Sequence, residues 1–200
     1  MTCIVAVENP AARTVIMGAD SRVTNGTLCF PLSEDDGKII KVAGFLIGQA
    51  GIARIKRVVA GIEIKFGIGG PSSDFDLTSE VIKVIVPALK KAAKEGDFLQ
   101  VKEGLVNMSA GLMIAFGNQI CTVAEDFSVM PHKNFWAIGS GARLALGSLA
   151  TTEKFLDYDT ERRVRTALEV AERFENTVGA PFVIESTKAL PLPAKNHSIW

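Results

Sequence analysis

Two β-branched, mostly apolar runs open the chain, 2–8 (TCIVAVE) and 14–20 (TVIMGAD), and Asn9-Pro10 parts them. Runs of this kind on either side of a turn dipeptide predict a β-hairpin. A second pair, 38–42 (KIIKV) and 45–50 (FLIGQA), brackets Ala43-Gly44, and a third, 109–116 (SAGLMIAF) and 119–124 (QICTVA), brackets Gly117-Asn118. Between these pairs the period changes. Over 52–66, Ile52, Ile55, Val59, Ile62 and Phe66 recur at helical spacing until a Gly67–Pro71 break. Over 74–95, Phe75, Ile82, Ile85, Leu89 and Ala92 do the same, with Asp76 or Thr78 as N-cap and Pro87 as an interior kink. Residues 134–138 (NFWAI) read as a short strand running into Gly139-Ser140-Gly141, and 142–153 as a helix. The plainest amphipathic helix is 160–174, striped by Val164, Ala167, Leu168, Ala171 and Phe174. A last strand, 181–185, precedes a polar, proline-containing tail at about 187–200.

Strands, two helices, strands, two helices and a strand is not the alternation of a doubly wound βαβ sheet. It predicts an α+β fold in which antiparallel sheets are covered by helices. No repeat, linker or low-complexity tract divides the chain, so residues 1–200 are expected to form a single domain. Although 48% of residues are apolar, no run approaches the ~18 residues of a membrane helix. The start of the chain lacks the basic segment and long apolar core of a signal peptide, so a cytoplasmic address is expected, without a membrane partner. The mean hydropathy of +0.24 adds a hint of apolar surface buried between subunits.

Lys plus Arg equals Asp plus Glu, 22 each, which leaves no electrostatic footprint for nucleic acid. Cys3, Cys29 and Cys121 are odd in number and far apart. They fit neither a disulfide framework nor a zinc site, and all three are expected to be buried, reduced thiols. The only histidines, His132 in a Met-Pro-His-Lys turn and His197 in the tail, are expected to face solvent. No metal or cofactor is called for. "GSGARLALG" fails the dinucleotide fingerprint at Leu144, and a nucleophile elbow at Ser140 fails at Ile138.

Several polar residues interrupt apolar strands. Asp20 ends one, Lys38 opens one after Glu34-Asp35-Asp36-Gly37, and Ser140 sits between two glycines where a strand meets a helix. Singly, each has a dull explanation as a strand-end cap, a solvated charge or an N-cap. Together with Thr2 they form a chemical set. A threonine hydroxyl is a poor nucleophile until a base takes its proton. A free α-amine titrates near pH ~7.7–8.0 and lies beside its own Oγ, so an N-terminal threonine carries its own base. Such a site needs no histidine. A buried Lys⁺ keeps the amine neutral and steadies the alkoxide, and an Asp fixes the Lys. Backbone N–H groups in a glycine-rich stretch, here "GQAG" at 48–51, hold an oxyanion.

These segments, "TCIVAV", "VIMGADSRVT", "GKIIKV", "LIGQAG", "WAIGSG" and "ALEVAER", resemble a proteasome β-type subunit from Thr2 to about Phe182. The likeness extends to the bacterial proteasome-like peptidase that works with an unfoldase ring. It implies the four-layer αββα sandwich of the N-terminal-nucleophile (Ntn) hydrolases, two antiparallel sheets flanked by helices. It implies that Thr2 is the nucleophile, exposed by Met1 removal, and that Asp20 and Lys38 are the pair beside it. Gly51 corresponds to the oxyanion-hole glycine, and Ser140 to the serine that binds the α-amine and the water. Thr24 corresponds to the residue pairing with the substrate backbone, and Gln49 lies near the side-chain pocket. Protein or peptide substrates, a homo-oligomeric ring with helices 52–66 and 74–95 at its contacts, and an ATP-dependent unfoldase partner follow from the same likeness.

The chain departs from the family pattern twice. After Arg173, Phe174 stands where the family has Asp, and Thr177-Val178-Gly179 stands for Ser-Gly-Gly, which leaves the role of Thr177 open. Met1 also precedes Thr2. If it stays, the alternative is a catalytically silent, proteasome-like structural ring subunit. An Ntn amidohydrolase of small amides is the remaining reading.

Overall fold

The computed structural model describes residues 1–25, 27–33, 36–64, 74–96, 99–102, 104–155 and 157–191. Phe66, the Gly67–Pro71 break, the acidic pair Glu34-Asp35, His197 and most of the polar tail lie outside them. Among the described residues no helix is long and apolar enough to cross a membrane.

The predicted hairpins form. β1 (Cys3–Asn9) pairs with β2 (Thr14–Asp20), β5 (Ile39–Val42) with β6 (Phe45–Gly51), and β9 (Ala110–Phe116) with β10 (Gln119–Val123). β12 (Phe135–Gly139) and β13 (Phe182–Ser186) flank the first hairpin, giving an antiparallel sheet in the order β12-β1-β2-β13. β11 (Val129–His132) completes a second sheet, β11-β10-β9-β6-β5. The helices are α1 (Arg54–Ala60), α2 (Leu77–Glu80) continuing through a π-helical turn (Val81–Ile85) into α3 (Val86–Glu95), α4 (Ala142–Thr152) and α5 (Thr160–Phe174). Asp76 caps α2 through the Thr78 N–H at 3.0 Å, and Asp159 caps α5 through the Arg162 N–H at 2.7 Å.

β1 is apolar at nearly every position because both its faces are covered. Ile4 and Ala6, with Val15, Met17 and Ala19 of β2, pack on Leu46, Met113, Ala115 and Ile120 of the second sheet. Cys3, Val5 and Val7 point the other way, onto Ala145 and Leu149 of α4 and Val164 and Leu168 of α5. A third cluster joins the far face of the second sheet (Phe45, Ile47, Leu112, Ile114) to Ile55, Val59, Val81, Ile85 and Leu89 of the helices. Contact between α5 and the first sheet is close enough to demand glycine: a Cβ on Gly18 would lie 2.4 Å from Val164 Cγ1.

Several expectations are corrected. Five strands carry no clear alternation and were not predicted. These are the hairpin of β3 (Arg22–Asn25) with β4 (Leu28–Pro31), the hairpin of β7 (Gln100–Lys102) with β8 (Leu105–Asn107), and β11. The helix expected over 52–66 stops at Ala60, where Gly61 caps it. In the next helix the π turn inserts an extra residue per turn, so Val81 and Ala93 are buried with Ile85 and Leu89, whereas Ile82 is 52% exposed. Phe174 is off the α5 stripe and exposed. Cys29, on β4, is exposed; Cys3 and Cys121 are buried as expected. His132 belongs to β11, not to a solvated turn. It is half-buried, stacks on Trp136 at 4.1 Å and meets Thr122 Oγ1 at 2.8 Å, and burial lowers its pKa.

Candidate active site

β1, β2, β5, β6 and β12 bring the predicted residues to one end of the two sheets. The centre is the carboxylate of Asp20, the last residue of β2, which is wholly buried. Its Oδ1 accepts from the Cys3 N–H and from Lys38 Nζ, each at 2.8 Å. Its Oδ2 accepts from the Arg22 N–H at 3.1 Å and the Gly179 N–H at 3.3 Å. Four donors satisfy the four lone-pair directions of the carboxylate.

Lys38 is 4% exposed and uses all three of its ammonium donors. One goes to Asp20, one to the Arg22 carbonyl at 2.8 Å and one to the Met1 carbonyl at 3.0 Å. Burial pulls its pKa below the ordinary lysine value, and the Asp20 charge opposes that pull without cancelling it. The Met1 carbonyl also accepts from Thr2 Oγ1 at 2.7 Å. The peptide oxygen before Thr2 therefore stands between the lysine and the threonine hydroxyl. With that peptide bond intact the Thr2 nitrogen is an amide, without basicity.

The Thr2 nitrogen donates to Ser140 Oγ at 3.3 Å, and Ser140 Oγ donates to the Thr2 carbonyl at 3.3 Å. Gly139, with φ of +95°, wraps the end of β12 so tightly over Thr2 that a Cβ there would lie 2.1 Å from the Thr2 carbonyl oxygen. Thr2, Thr24, Lys38, Gln49 and Gly51 line a single cavity of about 540 Å³. Asp20 and Ser140 stand behind it, bonded to Lys38 and Thr2. All seven candidate residues are thus brought together. Gly51 ends β6 in the left-handed region, φ +115°.

Cys3 is not a rival nucleophile. Its thiol is pushed up to about 12, by burial first and by the Asp20 charge second, and so stays protonated. Among the described residues no cluster of His, Cys, Asp or Glu could hold a metal.

The structure adds residues that the sequence reading missed. Thr177 Oγ1 lies 3.1 Å from Ser140 Oγ and donates to Glu175 Oε1 at 2.7 Å. A carboxylate thus reaches Ser140 through Thr177, although Phe174 occupies the place where one was sought. The signal was one residue away, at the end of α5. Arg22 serves Asp20 and Lys38 through its backbone, while its guanidinium bonds the Asn176 carbonyl at 3.0 Å and lies so close over Gly179 that a Cβ there would meet it at 2.3 Å.

No protein-family model and no curated protein matches the chain. Solved structures do, and they define the fold as that of proteasome-type Ntn-hydrolase subunits. BPH of Thiobacillus denitrificans is 22% identical, with a TM-score of 0.79 over 95% of this chain and 100% of that one; it has also been solved in complex with epoxomicin. HslV of Trypanosoma brucei is 19% identical, with a TM-score of 0.64 over 94% and 99% of the two chains. Anbu of Hyphomicrobium sp. strain MC1 is 16% identical, with a TM-score of 0.64 over 92% and 80%. At these identities the likeness is one of fold.

Proposed function

We propose that the protein is a cytoplasmic, self-compartmentalising threonine endopeptidase subunit, a single four-layer αββα domain that acts once Thr2 is the first residue. The observation that carries this reading is the bonding of Lys38. Two of its three donors are held by fixed acceptors, Asp20 and the Arg22 carbonyl, and only the third goes to Met1. Loss of Met1 frees that donor beside the Thr2 hydroxyl and turns the Thr2 amide into an amine next to Ser140.

In the reaction, Thr2 Oγ1 attacks the scissile carbonyl carbon and its proton passes to the Thr2 amine. Lys38 keeps that amine neutral by charge repulsion and stabilises the developing alkoxide. The Gly51 N–H holds the oxyanion, and Thr24 pairs with the substrate backbone. The C–N bond breaks, the leaving amine takes the proton, and the acyl ester on Thr2 is hydrolysed by water held near Ser140. A ring of identical subunits supplies the chamber, and an ATP-dependent unfoldase feeds it.

The test compares two preparations, one whose chain begins at Thr2 and one that retains Met1, each verified by intact mass. Peptide hydrolysis is expected only from the first. Retention of Met1 in protein from the native host, with no hydrolysis, would establish the silent ring subunit instead, the reading favoured by the Met1 carbonyl seated on Lys38 and Thr2.

Glu175 is a positioning residue in this scheme. Glu175→Ala is expected to lower kcat by about tenfold to 10²-fold by loosening Ser140, with KM unchanged. Glu175→Gln, which still accepts from Thr177, is expected to recover most of the rate. Equal losses in the two variants would assign Glu175 a charge effect in place of a positioning one.

A further inference from the structure

Gly51 carries the N–H that the proposed reaction uses for the oxyanion, and the group that steadies it comes from the segment leading into the next strand of the sheet, β9. Along β6 successive N–H groups face opposite edges. The Gln49 N–H donates to the Lys38 carbonyl at 3.1 Å, so the Gly51 N–H, two residues on, faces the same edge. β5 starts only at Ile39, opposite Gly48. At Gly51 that edge is therefore free of the strand and opens on the cavity lined by Thr2 and Lys38.

Gly51 stands in the left-handed region, φ +115°, which a regular strand does not impose. Pairing of Ala50 with Gly111 fixes the peptide before it. Ser109 fixes the peptide after it, because the Ser109 carbonyl accepts from the Ile52 N–H at 3.2 Å. The same carbonyl lies so close over Gly51 that a Cβ there would meet it at 2.5 Å. Ser109 is itself left-handed, φ +52°, a conformation that residues other than glycine seldom adopt. It is clamped there. Its N–H donates to Asn107 Oδ1 at 2.6 Å and its Oγ to Gln100 Oε1 at 3.2 Å. Asn107 Nδ2 donates to Glu125 Oε2 at 3.2 Å, and the Met108 N–H to the Glu125 carbonyl at 2.9 Å. Backbone held in this way persists only where its surroundings over-determine it.

We infer that Ser109 is a positioning residue for the oxyanion. Its left-handed backbone directs its carbonyl onto the Gly51–Ile52 peptide, and so keeps the Gly51 N–H aimed at the Thr2 cavity. The inference rests on the reading of Thr2 as nucleophile and Gly51 as oxyanion donor.

The test uses protein beginning at Thr2. Ser109→Gly and Ser109→Val both lose the bond to Gln100 and both keep the carbonyl. They differ in backbone: glycine holds a positive φ freely, and β-branched valine resists it. Ser109→Val is expected to lower kcat by about 10²-fold, the scale of one lost oxyanion donor, with KM unchanged, and Ser109→Gly to stay near wild type. A peptide aldehyde reads the hole directly. Thr2 Oγ1 adds to its carbonyl carbon, the hydroxyl proton ends on the former carbonyl oxygen, and nothing leaves. Affinity for the aldehyde should fall with kcat in Ser109→Val, whereas an uncleavable peptide should bind Thr2→Ala equally well with and without Ser109→Val. A crystal structure of Ser109→Val should show the Gly51–Ile52 peptide turned off the carbonyl of residue 109. Circular dichroism confirms folding; if the valine variant does not fold, Ser109→Ala against Ser109→Gly makes the same comparison, with a kcat difference of about tenfold.

Equal losses in the glycine variant and in the valine or alanine variant, undiminished kcat without glycine at 109, aldehyde and uncleavable-peptide affinities that fall together, or an unmoved Gly51 peptide each overturn the inference and leave the peptidase reading intact. A turned Gly51 peptide in the variant, with neither turnover nor aldehyde adduct in the unsubstituted chain, overturns the peptidase reading and leaves the coupling of Ser109 to Gly51 standing.

Discussion

Lys38→Met is expected to silence peptide hydrolysis in a chain that begins at Thr2, by about 10³-fold, while the protein still folds. The first half of this expectation follows from charge. The ammonium sits where the Thr2 hydroxyl must lose its proton, and methionine fills much the same space without a charge or a donor. The second half follows from Asp20. Without Lys38 the buried carboxylate still accepts from the backbone N–H groups of Cys3, Arg22 and Gly179. The loss of stability should therefore be moderate, read as a shift in the thermal midpoint. A pH series adds a second readout. Burial lowers the native pKa of Lys38, so between that value and the unfolded value the unfolded chain binds the proton more tightly, and stability rises with pH through that alkaline window. This rise should be missing from the variant. Turnover close to wild type in Lys38→Met would remove Lys38 from the reaction and with it the proposed mechanism.

The parts of the fold that were legible in the sequence are those where one physical pattern dominates. β1 and β2 are buried on both faces and read as unbroken apolar runs. α5 has a clean stripe and an aspartate cap. The parts that were not legible lack such a pattern. All four residues of β4 are exposed, so no alternation betrays it, and Cys29, expected to be buried because the cysteines fit neither a disulfide framework nor a zinc site, is exposed with them. The π turn of Val81–Ile85 moves the buried side from Ile82 to Val81, and nothing in the residue types announces it. The candidate site was more legible than the fold around it, because Asp20, Lys38 and Ser140 are polar groups in places where burial is costly without a partner. What stayed hidden was the indirect support. Glu175 was missed because a carboxylate displaced by one residue along the chain reaches Ser140 through Thr177. Arg22 acts on Asp20 and Lys38 through its peptide groups, which any residue possesses.

Asp20→Ala should be far more damaging to the fold than Lys38→Met, although the two residues form one ion pair. Removing the carboxylate deprives Lys38 of its counter-charge and leaves the N–H groups of Cys3, Arg22 and Gly179 without an acceptor, around a side chain that is itself wholly buried. Breaking a buried pair in this direction costs about 3–5 kcal/mol. For a chain of this length that corresponds to a fall of roughly 10 °C in the midpoint of thermal unfolding. Asp20→Asn should fall in between. Its carbonyl end can serve one pair of donors, either Lys38 with Cys3 or Arg22 with Gly179, while its NH₂ end faces the other pair as a donor against donors. The order wild type, Lys38→Met, Asp20→Asn, Asp20→Ala in thermal midpoint would make Asp20 the anchor that joins β1, β2, Lys38 and the Gly179 segment, with Lys38 held by it. If Asp20→Ala instead melted with Lys38→Met, the three backbone bonds to the carboxylate would carry no weight of their own. The ion pair alone would then account for the stability of the site.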